Sequence, residues 1–363
     1  MDRRKFATSL GAATLAAQPP GSIRVGVLTQ ADGPHLGAYL AGLAAAKEAS
    51  SISLCDASGT TQQAARQVLG TRLAAVYRDH RELLAREKPA LALVSMEAKL
   101  SPPVIEAALE AGCHVMAEKP ACVRIEDFEP LAKKADAKGR QLMLALANRV
   151  DPLVLEMKRR IGAGAFGKIY GMDLHIIADQ TRLTRPEYHK TWTAQRARAG
   201  GGHLIWLGIH WLDLAMYVTG SNITDVMAFT GNVGGQPIDI EDSAAAAVRF
   251  DNGTFGTITS GYYVDKGYHS QIKIWGSHGW IEMRKHGSPR PLVWYSTKEP
   301  RPVEHEYKGP AEPSGYTPWV QECVRFAAGS GPAPLTTAGS LRVLRVVFGC
   351  YKSADTGRRV SIA

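Results

Sequence analysis

A β-forming run, Ile23-Arg24-Val25-Gly26-Val27-Leu28, leads into a loop holding Gly26, Thr29, Gln30, Gly33 and Gly37, and a helical pattern follows directly. The first amides of such a helix are unpaired and lie at the positive end of its dipole, so they can face a pyrophosphate. A second β-rich run, 51–56, ends on Asp56. An acid in that place accepts both hydroxyls of an adenosine ribose and repels a 2′-phosphate, which favours NAD over NADP. Gly26, Leu28, Thr29, Gln30 and Asp56 are therefore candidate cofactor contacts. The glycine pattern is defective: counted from Gly26, Leu28 and Ala31 stand where G-x-G-x-x-G requires glycines. Further along, His203, Trp206 and His210 are spaced i, i+3 and i+7, one face of a helix. His203, His210 and Asp213 lack the tight spacing of metal ligands, so no metal is expected.

These residues need elements to hold them. Leu36, Leu40 and Leu43 recur at helical spacing after the first strand. Strands are predicted at 73–77, 91–96, 114–117 and 141–147, separated by helices at 81–87, 102–111 and 125–138. Alternation of this kind makes a parallel sheet with helices on both faces, and ligands bind beyond its carboxyl edge. Past residue 150 the pattern changes to strands at 168–177, 245–250, 255–261, 271–275 and 280–284, with Asp251-Asn252-Gly253 as a turn.

The 363 residues suffice for two cores, and 45% hydrophobic with 21% charged residues is a globular composition. A net charge of +9 comes without a basic run or nucleic-acid motif, so no nucleic-acid partner is expected. No apolar stretch reaches transmembrane length, and no membrane partner is expected. The five cysteines are scattered, without a C-x-x-C pair, which suits neither a disulfide framework nor a zinc site. Residues 1–17, MDRRKFATSLGAATLAA, have the paired arginines, mildly apolar stretch and small residues of a twin-arginine export signal. The expected location is periplasmic or extracytoplasmic. Outside the cytoplasm there is no free nicotinamide pool, so a cofactor should be carried tightly bound.

The run Ala107-Ala108-Leu109-Glu110-Ala111-Gly112-Cys113-His114-Val115-Met116-Ala117-Glu118-Lys119-Pro120 resembles the ALEAGKHVxxEKP signature of the Gfo/Idh/MocA oxidoreductases. Similar motifs follow in order: Asn148-Arg149 before Asp151-Pro152, Gly200-Gly201-Gly202 leading to Gly208-x-His210-x-x-Asp213, Glu241-Asp242-Ser243-Ala244, and Gly276 to Glu282. The resemblance implies an α/β fold: a doubly wound Rossmann domain at 22–150 and an α+β domain at 151–335 with an open, mostly antiparallel sheet. A C-terminal helix and tail at 336–363 would pack back on the body, and the open sheet would make a homodimer or homotetramer. It also implies NAD-dependent oxidation of a hydroxyl on a sugar, sugar derivative or cyclitol. Lys119 would bind the reacting oxygen, Glu118 would position Lys119 or the nicotinamide, and His210 would be the general base or a proton shuttle. Ser95, Glu97 and Asn148 would lie by the cofactor, and Asn148, Tyr188, His189, His203 and Trp206 by the substrate.

The sequence departs from the family pattern at two places. Trp206 replaces the usual aspartate four residues before the histidine, and Glu97-Ala98-Lys99-Leu100-Ser101-Pro102 replaces T-P-x-x-x-H. Either Trp206 is a stacking platform for a sugar ring, with His203 a second polar group, or it plugs a vacated pocket. Two other functions stay open: redox-neutral glycoside cleavage through a transient keto-sugar with captive NAD, and a binding protein that kept the fold without the chemistry.

Overall fold

Strands flanked by helices on both faces are largely apolar, as the run Leu91–Ser95, buried at every position, shows for the first sheet. In the computed structural model, which describes residues 21–286, 288–310 and 314–362, six strands pair in parallel in the order β3-β2-β1-β4-β5-β6. They are β1 (Ile23–Thr29), β2 (Ala49–Asp56), β3 (Leu73–Tyr77), β4 (Leu91–Ser95), β5 (His114–Ala117) and β6 (Leu142–Leu144). Order reverses between β1 and β4, which opens a crevice at their carboxyl ends. The expected strand at 141–147 stops early, because Ala147–Val150 turns as a short 3-10 helix.

The second sheet has nine strands in the order β14-β13-β12-β11-β7-β10-β9-β8-β15. Those are β7 (Ile169–Asp179), β8 (Ile223–Gly231), β9 (Ser243–Phe250), β10 (Phe255–Val264), β11 (Tyr268–Gly276), β12 (Gly279–Met283), β13 (Leu292–Ser296), β14 (His305–Tyr307) and β15 (Val360–Ser361). All its pairings are antiparallel except β10 with β7. Alternation sets the two faces: Ala246, Val248 and Phe250 of β9 are buried while Ala245, Ala247 and Arg249 are exposed. Helices Pro152–Gly162 and Ile209–Thr219 cover the inner face.

Helix Thr337–Thr356 joins the two sheets. Its Thr337 and Ser340 hydroxyls accept from the Leu142 and Leu144 amides of edge strand β6, at 2.9 and 3.1 Å. Farther along, Ser353 Oγ accepts from Ala228 N of β8 at 3.0 Å. One helix thus satisfies two amides of edge strand β6 and one of β8 beyond its short pairing with β15.

Glu241 fixes the entry to the inner helix. Its carboxylate accepts from Gly202 N at 2.6 Å, Leu204 N at 3.0 Å and Tyr351 Oη at 2.8 Å. A Cβ on Gly202 would lie 1.8 Å from the Glu241 carbonyl oxygen, a backbone atom that cannot move aside. Gly202→Ala is therefore expected to cost about 1–3 kcal/mol in urea unfolding. Gly37→Ala, which meets nothing within 4 Å, is the control and should be neutral or slightly stabilising.

Candidate active site

β1 runs on to Thr29, so Gly26 and Leu28 lie inside the strand and not in the loop. Leu28 is in the core, paired in register with Cys55 and Val94, and a Cβ on Gly26 would sit 2.9 Å from the Leu83 side chain. Both are removed from the cofactor contacts: they pack helix against sheet. The loop that faces the carboxyl edge is 30–35, and it folds onto β4. Thr29 Oγ1 donates to Ser95 O at 2.9 Å, and Ser95 Oγ donates to Pro34 O at 2.7 Å. Gly33 allows this closeness, since a Cβ there would fall 2.6 Å from Ser95 O.

Asp56 ends β2 as expected, but both its oxygens are engaged by the turn that follows. It accepts from Ser58 N and Oγ and from Thr61 N and Oγ1, at 2.7 to 3.0 Å. Burial opposes its ionisation, yet these four bonds prevail and hold the carboxyl below its ordinary range. Glu97 is likewise taken. It is paired with Arg198 through both carboxylate oxygens, and its amide donates to Gln30 Oε1 at 2.9 Å. The pair clamps the second domain to the end of β4, so Ser95 and Glu97 are structural ties here.

Beyond β5 stand Glu118 and Lys119, with a cis Lys119–Pro120 peptide. Lys119 is 2% exposed; its Nζ donates to the Trp206 carbonyl at 2.8 Å and lies 3.8 Å from the centroid of the Trp206 indole. Glu118 Oε1 is 3.9 Å away. Burial brings the amine down to about 8, with Glu118 opposing and Arg182 assisting the shift. Glu118 Oε2 meets His35 Nδ1 at 3.0 Å and accepts from Tyr39 Oη, whereas Oε1 has no hydrogen-bond partner.

Residues 204–208 form a π turn rather than a regular helix, and this breaks the one-face reading of His203, Trp206 and His210. His203 is turned to the sheet: wholly buried, its Nδ1 lies 2.6 Å from Ser260 Oγ and its ring packs edge-on to Tyr262. Burial, then Arg182 and Lys119, push it to about 3, so it stays neutral behind the site. Trp206 and His210 do reach one cavity with Lys119, of about 400 Å3. Trp192 packs against Trp206 at 5.3 Å between centroids. Burial and then Lys119 hold His210 well below its ordinary range, and its Nδ1 is buried without a partner. It is a neutral imidazole at pH 7 whose protonation is disfavoured, so it can hand a proton on through hydrogen bonds but does not store one.

Tyr188 lines the cavity as expected. His189 does not; its Nε2 lies 2.5 Å from the Leu183 carbonyl and closes its own turn. Asn148 is held by Lys285, which also pairs with Asp151 at 2.9 Å, so it faces that cluster and is not among the cavity walls. Asp213 forms a two-pronged ion pair with Arg149 at 2.7 and 2.8 Å. Among the described residues no group of three or more His, Cys, Asp or Glu is placed to hold a metal. The sequence reading missed His35, Arg182, Tyr262, Tyr268 and Tyr316, all cavity-lining. Only His35, just past Gly33-Pro34 in the loop, offered a signal.

A dinucleotide fits the edge at its reacting end. The helix Leu36–Ala45 begins without a side-chain cap or an acid in its first turn; the Leu36 amide donates to Gly33 O at 3.4 Å, which leaves the Gly37 and Ala38 amides to face an anion. Glu118 Oε1, which accepts no hydrogen bond, and the buried Lys119 amine are the groups that would hold the nicotinamide end. At the other end Asp56 would have to exchange turn hydrogen bonds for ribose hydroxyls.

The described geometry has counterparts among known proteins. Residues 31–146 match the model of an oxidoreductase family with an NAD-binding Rossmann fold, and residues 154–282 match the GFO/IDH/MocA C-terminal domain. A myo-inositol dehydrogenase of Streptomyces leeuwenhoekii is 26% identical over 281 residues, 76% of this chain and 82% of its own. D-glucoside 3-dehydrogenase of Escherichia coli is 30% identical over 171 residues, 47% of this chain and 46% of its own. An oxidoreductase domain protein from Kribbella flavida superposes with a TM-score of 0.83 at 21% identity, covering 94% of this chain and 99% of that one. The WlbA dehydrogenase of Bordetella pertussis, solved with NADH and UDP-GlcNAcA, gives 0.80 at 22% identity over 94% and 99%.

Replacing the indole by a carboxylate tests what holds the amine. In 15N-lysine NMR, Lys119 should titrate near 8 in the native protein. In Trp206→Asp it should titrate about a unit or more higher, because an adjacent anion favours the ammonium.

Proposed function

The chain belongs to the Gfo/Idh/MocA oxidoreductase family, and from that premise we propose that it oxidises a hydroxyl of a sugar, sugar derivative or cyclitol with NAD. The observation that carries this reading is the buried amine of Lys119, facing one cavity with the neutral imidazole of His210. When bound, NAD supplies the hydride acceptor. Lys119 in its free-base form binds the carbinol oxygen and takes its proton. The Trp206 carbonyl keeps Nζ in place, and Glu118 behind it favours the ammonium that forms. His210 is placed to pass the proton on. Trp192 and Trp206 wall the cavity, exclude water and offer flat faces to a ring.

Export in the folded state with captive NAD is part of the same proposal. Its support is the sequence of residues 1–17, which lie outside the described residues. Captive cofactor also favours the second reading, redox-neutral glycoside cleavage, because an exported enzyme must regain its oxidised form without a nucleotide pool. No helix among the described residues is long and apolar enough to cross a membrane.

The outer face of the second sheet supports self-association. Phe229 is 74% exposed and Phe255 58%, with Met227 and Trp275 also exposed on that face. An apolar patch of this kind marks an interface, and we assign it to a second copy of the chain.

Oxidation of an accepted sugar should rise with pH through about 8 and then level, since the amine must be free to take the proton. Lys119→Ala should lower kcat by about 10²–10⁴ in a reduced-nicotinamide absorbance assay. Unchanged turnover in that variant would remove Lys119 from the chemistry. A Phe229→Glu/Phe255→Glu double variant should run as a monomer in light scattering where the native protein runs as a dimer or larger.

A further inference from the structure

Arg182 rises from the short turn Thr181–Thr184 and forms part of the cavity wall. Its guanidinium lies 5.4 Å from the ring centroid of Tyr262, and no ion pair or hydrogen bond engages it among the described residues. The nearest acid along its own turn, Asp179, accepts from Thr181 N at 2.7 Å and makes no salt bridge. Other arginines near this edge behave differently: Arg149 is paired with Asp213, and Arg198 with Glu97. The cavity is short of negative charge. Lys119 and Arg182 line it, and the only acid among its walls is Asp32, hydrogen-bonded to Gln30. Glu118 lies behind Lys119 rather than in the wall, and an indole occupies position 206, where the family resemblance expects an acid. An unpaired guanidinium beside a second cation is unfavourable, and a ligand anion relieves it.

We propose that the substrate ring bears an anionic substituent, a carboxylate or a phosphate, and that Arg182 binds it while Lys119 holds the reacting hydroxyl. The inference rests on the reading of this cavity as a sugar or cyclitol site. Guanidinium offers parallel N–H donors that match a carboxylate or phosphate edge, and the tyrosines around it, Tyr188, Tyr262 and Tyr268, carry phenols that can donate to the same group. A cavity of about 400 Å3 suits one ring with its substituent. An ordinary neutral sugar leaves Arg182 unpaired, so discrimination follows from the cavity's charge and not from ring shape alone.

The test is calorimetric binding to the full chain of matched twins across several ring types: methyl glucosides, galactosides and mannosides, the corresponding uronides, and the 6-phosphates. At least one acidic twin should bind about 10- to 100-fold more tightly than its neutral partner. Arg182→Gln should collapse the gap to within twofold, and Arg182→Lys should retain part of it. The uronide and phosphate arms decide which anion is preferred. Neutral twins binding as tightly as acidic ones, or a gap that survives Arg182→Gln, overturns this inference and leaves the sugar site standing. Binding by neither series overturns the sugar-site reading and this inference with it.

Discussion

Everything at the candidate site depends on one buried amine. Taking the Lys119 ammonium out of water is costly, and the protein offsets only part of that cost. A carbonyl and an indole face contact Nζ, while the nearest carboxylate oxygen is 3.9 Å away. The balance leaves the amine near 8, within reach of both protonation states at neutral pH. A closer carboxylate would stabilise the ammonium and spoil it as a proton acceptor; a wholly apolar pocket would leave nothing to hold it in place. Trp206 touches the amine and walls the cavity at once.

That placement needs both domains. Lys119 comes from the end of β5 in the parallel sheet, while Trp206 and His210 come from the π turn and helix over the second sheet. Glu241 and Tyr351 anchor the start of that turn, and the Glu97–Arg198 pair and helix Thr337–Thr356 lock the domains against each other. A π turn is tolerated mid-helix mainly where it aims a side chain. Here it separates His203, which supports the sheet, from His210, which faces the cavity.

The parallel sheet was legible because strands buried on both faces are nearly continuous apolar runs, and all six were found. The second sheet was half legible. β9 alternates in burial but not in residue type, reading Ala244 to Ala247 without a break, and β8 exposes Met227 and Phe229 on its outer face, which hides the period of two. At the site, Lys119 and His210 were found through ordered motifs, Trp206 as a departure within one, and Tyr188 only from the place of its loop. Gly26 and Leu28 were misplaced because the end of β1 is set by pairing of Thr29 with Asp56 and Ser95, which no local pattern shows. Asp56, Ser95, Glu97 and Asn148 have suitable chemistry and position, yet nearby partners take their polar atoms. Arg182 and the tyrosines come from segments far apart in the chain, and only folding brings them together.

The account turns on whether this edge holds a dinucleotide although Leu28 and Ala31 stand where the fingerprint has glycines. The direct measurement is nucleotide content: purify the folded protein, denature it, and assay the supernatant for NAD(H) and NADP(H). The account predicts about one equivalent of NAD(H) per chain, the cofactor being carried rather than borrowed. No nucleotide released, together with no binding of added NAD, would contradict it.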